Sequence, residues 1–136
     1  MMSRKQTLAS DVLAALEAKK LSLATAESCT GGGVGQALTA VPGSSRVYRG
    51  GIISYTNEVK SGLLHVPETL LRDLGAVSGP VAEAMARGAQ AALSADVAVS
   101  TTGLAGPGGD GFGNPVGTVW IACAGPGGEG TVLCRF

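Results

Sequence analysis

The sequence contains few charged and few aromatic residues. Of its 136 residues, 15% are charged and 4% are aromatic, and the 10 basic and 10 acidic residues leave no net charge. No basic run is longer than Lys19-Lys20. Nucleic-acid and anionic-membrane partners are bound through excess positive charge, so the composition argues against both. Because hydrophobic residues make up 45%, we expect a core of alanine and aliphatic side chains.

Histidine and cysteine are also scarce. The only histidine, His65, argues against histidine-based metal centres and Ser-His-Asp triads, so we expect no metal and no organic cofactor. Cys29, Cys123 and Cys134 form neither a CxxC pair nor an even disulfide framework, which favours a reducing compartment. Residues 1–16 lack the apolar segment of a signal peptide, and no run of 18 apolar residues occurs. We therefore expect a cytoplasmic protein with no membrane partner.

The chain length suits one domain spanning residues 1–136. Apolar periodicity and glycine or proline punctuation predict helices over 4–19, 33–40, 58–64, 67–73 and 80–93, and strands over 21–25, 46–55, 96–101, 117–124 and 130–136. The predicted helices alternate with strands, and a hairpin ends the chain. This order predicts an α/β fold, a single three-layer αβα-type domain with a mixed sheet. The chain stops within a strand, so we expect the final helix of one layer to be absent from it.

The turn after the first predicted strand carries the strongest chemical signal. Residues 26–33 place two candidate nucleophiles, Ser28 and Cys29, beside three glycines whose backbone N–H groups suit an anion. A serine nucleophile needs a base, and a buried, neutral lysine such as Lys60 can serve. Two other interpretations stay open: Ser28 as a helix cap with Lys60 in solvent, and Cys29 as a small packing residue.

Two further loops follow predicted strands. Ligands of open α/β sheets gather at strand ends, so residues 26–33, 54–60 and 101–109 are expected to share one site. The loop at 101–109 has hydroxyls and glycines but no P-loop arrangement, and the chain contains no GxGxxG run. ATP hydrolysis and Rossmann-type dinucleotide binding are therefore disfavoured.

Five segments together resemble the CinA C-terminal domain family, known for its competence-damage-inducible proteins. They are Ala26–Gly32 (AESCTGG), Gly50–Lys60 (GGIISYTNEVK), Gly75–Ser78 (GAVS), Thr102–Pro107 (TGLAGP) and Pro115–Trp120 (PVGTVW), and the likeness extends over residues 5–136. Standalone members of that family are nicotinamide mononucleotide deamidases, which hydrolyse the carboxamide to the acid and release ammonia. The resemblance implies a hydrolase of pyridine nucleotide recycling whose partner is a small nucleotide.

The resemblance also implies roles for individual residues. Ser28 would attack the amide carbon, Lys60 would act as the base, and Tyr55 would orient or polarise the pair. We expect Thr30 and the backbone near Gly31 and Gly32 to hold the oxyanion, and the loop from Thr102 to hold ribose or phosphate. The complete set of expected substrate contacts is Thr30, Gly31, Gly32, Asn57, Thr102, Gly103, Ala105 and Gly106.

One departure and two alternatives accompany this interpretation. Family members usually continue past the last strand into a helix, with an arginine on the way that contacts substrate, whereas this sequence ends at Phe136. A non-catalytic nucleotide-binding or partner domain of the same type is one alternative, and an amidase dependent on Cys29 is the other. Because the outer layer is expected to be incomplete, we also expect a homo-oligomer.

Overall fold

A computed structural model describes residues 2–136 of the chain. The strands are β1 (Leu23–Glu27), β2 (Tyr48–Ile53), β3 (Val97–Gly103), β4 (Thr118–Gly125) and β5 (Gly128–Arg135). The helices are α1 (Arg4–Ala18), α2 (Gly33–Thr39), α3 (Asn57–Leu64), α4 (Glu68–Leu74) and α5 (Gly79–Ala92), with a short 3-10 turn at Ser44–Arg46.

The five strands form one mixed sheet in the order β2-β1-β3-β4-β5. Strands β1, β2 and β3 are parallel, whereas β4 and β5 are antiparallel additions joined by a tight hairpin. Every residue of the interior strand β1, which lies between β2 and β3, is buried, as expected for a parallel strand covered on both faces. The predicted α/β class and mixed sheet are confirmed. Because β1, β2 and β3 run the same way, the loops that follow them meet at one edge.

Helices cover both faces of the sheet, which confirms the three layers. On one face α5, with α3 and α4, packs over a core built largely of alanine, including Ala24, Ala98 and Ala122. On the other face α1 and α2 pack over a smaller cluster that includes Leu13 and Leu23. Because alanine side chains are short, the helices lie close to the strands and leave little room for aromatic rings.

The second helical layer does not extend over the whole sheet. Val132 on β5 is 60% exposed, and Leu8 and Val12 on α1 are 55% and 47% exposed. An apolar groove of about 600 Å³ lies among α1, α2 and the sheet. No helix follows β5 within residues 2–136. The homo-oligomer stays a prediction.

Most predicted element boundaries lie within two residues of the observed ones. The first strand lies two residues later than the predicted range 21–25, because β1 pairs with both neighbours as far as Glu27. Strand β2 contains a bulge: Leu23 pairs with Tyr48 but Ala24 pairs with Gly50, so Arg49 is an extra residue in β2.

One glycine sets the distance between α3 and α5. A Cβ atom on Gly88 of α5 would collide with the backbone carbonyl of Leu64 at the end of α3. Gly62 on α3 has no heavy atom within 4 Å of the corresponding Cβ position. The contact at Gly88 therefore fixes where α3 lies on the core.

We predict opposite effects of the same substitution at these two helical glycines. Gly88→Ala should lower the free energy of unfolding by about 1–3 kcal/mol, because backbone must move to admit the methyl group. Gly62→Ala should raise it by about 0.5–1 kcal/mol, because alanine is the better helix former. Urea denaturation of both variants measures the difference, and equal stability would show that α3 does not depend on the contact.

Candidate active site

The three loops expected to share a site do meet at the carboxyl edge of the parallel strands. They enclose a cavity of about 320 Å³. The residues lining it are Ser28, Cys29, Tyr55, Asn57, Lys60, Ala76, Val77, Thr102, Gly103, Leu104, Ala105 and Gly106. Lys60 is the only basic residue of this lining and no acidic residue belongs to it, so the cavity suits a largely neutral part of a ligand.

Ser28 and Lys60 form a direct contact in this cavity. The Lys60 Nζ atom lies 3.3 Å from the Ser28 Oγ atom and 3.2 Å from the backbone carbonyl oxygen of Tyr55. Lys60 is 1% exposed and Ser28 is 7% exposed. The interpretation that places Lys60 in solvent is therefore wrong.

Local structure explains how Lys60 reaches Ser28. Thr56 caps α3 by accepting a hydrogen bond from the Val59 N–H group, which starts the helix directly after the loop that leaves β2. Lys60 lies one turn into the helix, and helical side chains tilt towards the N-terminus. Its aliphatic stem is thus buried while its amine points back to the edge of the sheet.

Burial lowers the pKa of Lys60, and the neighbouring Cys29 opposes this shift to a smaller extent. Among residues 2–136 no carboxylate lies within salt-bridge distance of Nζ. Desolvation disfavours the charged form of an amine, and only neutral oxygen atoms receive hydrogen bonds from this one. The amine is therefore suited to accept a proton from Ser28.

Cys29 is the other candidate nucleophile in the cavity. Burial raises the pKa of its thiol, although backbone N–H groups of the turn oppose this shift. A protonated thiol is a poor nucleophile. The sulfur also packs tightly: a Cβ atom on Gly103 would lie 2.9 Å from it. Cys29 is thus better suited to packing than to attack.

Ser28 does not cap the helix that follows it, which excludes the capping interpretation. The N-cap residue of α2 is Gly32, with a φ angle of 106°, and as a glycine it has no side chain to cap the helix. Instead, the carboxylate of Glu27 accepts hydrogen bonds from the N–H groups of Val34 and Gly35 at 2.8 and 2.9 Å. The Ser28 hydroxyl thereby remains available to Lys60.

The other predicted site residues fall into two groups. Asn57, Thr102, Gly103, Ala105 and Gly106 line the cavity, whereas Thr30, Gly31 and Gly32 do not.

In the second group, the Thr30 hydroxyl points away from the cavity and donates to Glu27 at 2.6 Å. The backbone N–H of Gly31 donates a hydrogen bond to the Ser28 carbonyl oxygen.

Tyr55, by contrast, lines the cavity. The residue is 72% exposed, and its backbone carbonyl, not its ring, contacts Lys60.

Sequence reasoning missed two parts of the site. Ala76 and Val77 form a wall of the cavity, and only their place in a segment that resembles the family pointed to them. Glu27 was also missed, although a charged residue in an otherwise apolar strand is itself a signal, because such a residue is rarely buried without partners.

No described helix is long and apolar enough to cross a membrane. Across residues 2–136 there is also no group of three or more His, Cys, Asp or Glu side chains placed to hold a metal ion.

Comparison with known proteins points to a single family. The family model of the CinA C-terminal domain matches residues 5–136. A CinA-like protein of Synechococcus sp. (strain RCC307) is 56% identical over 122 residues, which cover 90% of this chain and 29% of that protein. A CinA-like protein of Parasynechococcus marenigrum is 55% identical over 130 residues, covering 96% of this chain and 31% of that protein. The chain thus spans about a third of the length of these relatives.

Solved structures agree with the sequence relatives. A competence-damaged protein (CinA) superfamily protein from Escherichia coli superposes with a TM-score of 0.95 at 37% identity, covering 100% of this chain and 81% of that chain. The competence/damage inducible protein CihA from Agrobacterium tumefaciens gives a TM-score of 0.93 at 38% identity, covering 100% of this chain and 83% of that chain. The fold and the positions of the loops therefore have experimental counterparts.

The lowered pKa of Lys60 predicts a characteristic pH dependence of stability. Between that pKa and the ordinary lysine value of 10.5, the unfolded chain binds a proton that the folded chain does not. The free energy of unfolding should therefore rise with pH through this window. Lys60→Met should remove this contribution, while Lys19→Met, at an exposed position, should keep it. Urea denaturation at several pH values compares the three proteins, and parallel pH profiles would contradict the prediction.

Proposed function

Because the chain belongs to the CinA C-terminal domain family, we propose that it is an amidohydrolase that deamidates nicotinamide mononucleotide through a Ser28–Lys60 pair. The observation that carries the proposal is the 3.3 Å contact between Lys60 Nζ and Ser28 Oγ inside a cavity. The substrate comes from the family resemblance, and a carboxamide is a substrate that a serine nucleophile can attack. The products are nicotinate mononucleotide and ammonia.

The first half of the reaction forms an ester on Ser28. Its Oγ attacks the carboxamide carbon while the neutral Lys60 amine takes the hydroxyl proton. The tetrahedral intermediate then collapses, and Lys60 returns that proton to the leaving nitrogen, so that ammonia departs. Lys60 thus acts first as the base and then as the acid, and it ends the step neutral again.

The second half hydrolyses the ester. A water molecule gives a proton to Lys60 as its oxygen attacks the ester carbon, and Ser28 receives that proton when the acyl–oxygen bond breaks. Negative charge develops on the carbonyl oxygen in both halves, next to the turn that bears Ser28. The N–H groups of Cys29 and Thr30 directly follow Ser28 in this turn, and they are the donors we assign to this oxygen.

The rest of the cavity suits the neutral parts of the nucleotide. The Thr102 hydroxyl donates to the Ala76 carbonyl oxygen at 2.8 Å, which leaves its oxygen to accept a hydrogen bond from a ribose hydroxyl. Asn57 offers both a donor and an acceptor at the entrance. Gly103, Ala105 and Gly106 present backbone without bulky side chains, so a planar ring can approach closely.

The proposal concerns this domain alone, because the chain spans 29% and 31% of the two curated relatives compared above. Cytoplasmic pyridine nucleotide recycling is the setting that the proposed reaction fits. A nucleotide-binding domain without catalysis is the competing function, and it predicts binding of the nucleotide with no release of ammonia.

We expect Ser28→Ala and Lys60→Ala to lower ammonia release from nicotinamide mononucleotide by at least about a hundredfold each, because each removes one partner of the proton transfer. Ser45→Ala and Lys19→Ala, at exposed positions, are the matched controls and should retain the activity. A coupled ammonia assay measures all four proteins. Wild-type protein that binds the nucleotide in calorimetry without turnover would refute catalysis and support the binding domain.

A second comparison separates the two nucleophiles of the cavity. Cys29→Ala should retain activity within about tenfold of the wild type, because a half-buried thiol whose pKa is raised is a poor nucleophile. The same ammonia assay applies, with Ser28→Ala alongside. Loss of activity in Cys29→Ala with retention in Ser28→Ala would assign the reaction to the thiol instead.

A further inference from the structure

Glu27 is a buried carboxylate that the proposed mechanism does not use. It is 3% exposed, and its three hydrogen-bond donors are the Thr30 hydroxyl and the N–H groups of Val34 and Gly35. Within residues 2–136 it forms no salt bridge. Its negative charge is therefore stabilised by the free N–H groups at the start of α2 and by one hydroxyl.

These contacts close the turn that carries Ser28. Glu27 is the last residue of β1 and immediately precedes Ser28, whereas its partners lie three, seven and eight residues further along the chain. The carboxylate thus joins the end of the strand to the start of the helix across residues 28–32. Gly32, the N-cap, has no side chain to do this, so the conformation of the turn depends on Glu27.

Thr30 extends the same network to the neighbouring strand. Its hydroxyl proton is committed to Glu27, so the Thr101 hydroxyl donates to the Thr30 oxygen across 2.8 Å. Thr101 belongs to β3, and its carbonyl oxygen accepts a hydrogen bond from the Ser28 N–H. The turn is therefore held from two sides, by its own strand and by β3.

The backbone of Glu27 holds the other half of the pair. Its carbonyl oxygen accepts a hydrogen bond from the Ser54 N–H at 2.7 Å. Ser54 precedes Tyr55, whose carbonyl oxygen binds the Lys60 amine. One residue thus contacts both the turn of the nucleophile and the loop that orients the base.

We propose that Glu27 is a positioning residue, whose carboxylate holds the 28–32 turn so that the Ser28 hydroxyl faces the Lys60 amine. This inference rests on the proposed function for its effect on catalysis, but its structural part stands independently. It also gives Thr30 a role behind the turn, as a link between Glu27 and Thr101, in place of the substrate contact expected from sequence.

Glu27→Gln is the decisive variant because it keeps the shape of the side chain. An amide has one acceptor oxygen, so in either orientation its NH₂ group faces a backbone N–H, that of Val34 or that of Gly35, to which it cannot bond. At a temperature where circular dichroism shows a folded protein, we expect kcat for nicotinamide mononucleotide to fall at least tenfold, with KM changed less than threefold. Glu68→Gln, at the exposed first turn of α4, is the control and should leave both constants unchanged.

Thr30 supplies a second pair of variants. Thr30→Val removes the hydroxyl and should lower kcat in the same way as Glu27→Gln, whereas Thr30→Ser keeps the hydroxyl and should restore kcat to within threefold of the wild type. An increase of KM in Thr30→Val with unchanged kcat would instead show that Thr30 contacts the substrate and would overturn this role.

A structural measurement separates this inference from the proposed reaction. In a crystal structure of Glu27→Gln we expect the Nζ–Oγ separation of Lys60 and Ser28 to exceed 4 Å, against the 3.3 Å observed here. If wild-type protein releases no ammonia, the proposed function fails, and this distance still decides the positioning role. An unchanged distance in Glu27→Gln would overturn it.

Discussion

The buried Lys60 amine, which has no acidic partner within residues 2–136, is the constraint on which the site depends. The Lys60 amine makes its hydrogen bonds to a hydroxyl and a carbonyl oxygen. A charged ammonium group there loses its hydration and gains only two dipoles in return, so the pKa of Lys60 is lowered. A carboxylate at the same distance would raise that pKa again. The lack of such a partner is thus as important for the chemistry as the presence of Ser28.

Small residues allow this amine to be buried so close to the sheet. Alanines of β1, β3 and β4 face α5, and Gly88 lets the end of α3 rest against the same helix. A larger side chain at Gly88 would push α3 outward, and Lys60 with it. The alanine- and glycine-rich composition, which at first only limited the kind of core, therefore also positions the Lys60 amine.

The accuracy of the sequence predictions depended on whether the signal was local. Helix α5 and strand β4 were predicted to within one residue of their observed bounds, because glycine, proline and periodic alanine mark their ends. The buried face of α1 is less evident from the sequence: Leu8 and Val12 are apolar, but both stay about half exposed. Their exposure depends on how far the second helical layer extends over the sheet. The apolar periodicity of one helix does not predict that extent.

The sequence by itself determined the fold class, the order of the elements and the three loops of the site, because these follow from local patterns and from motifs shared with a family. It also supplied Ser28 and Lys60, but spacing alone allowed a cap and a solvated lysine. The tertiary structure decided between these possibilities, since Lys60 is buried only when α3 packs on α5, and Ser28 is free only because Glu27 caps α2. Hydrogen-bond partners and desolvation are properties of neighbours in space, and 32 residues of sequence separate this pair.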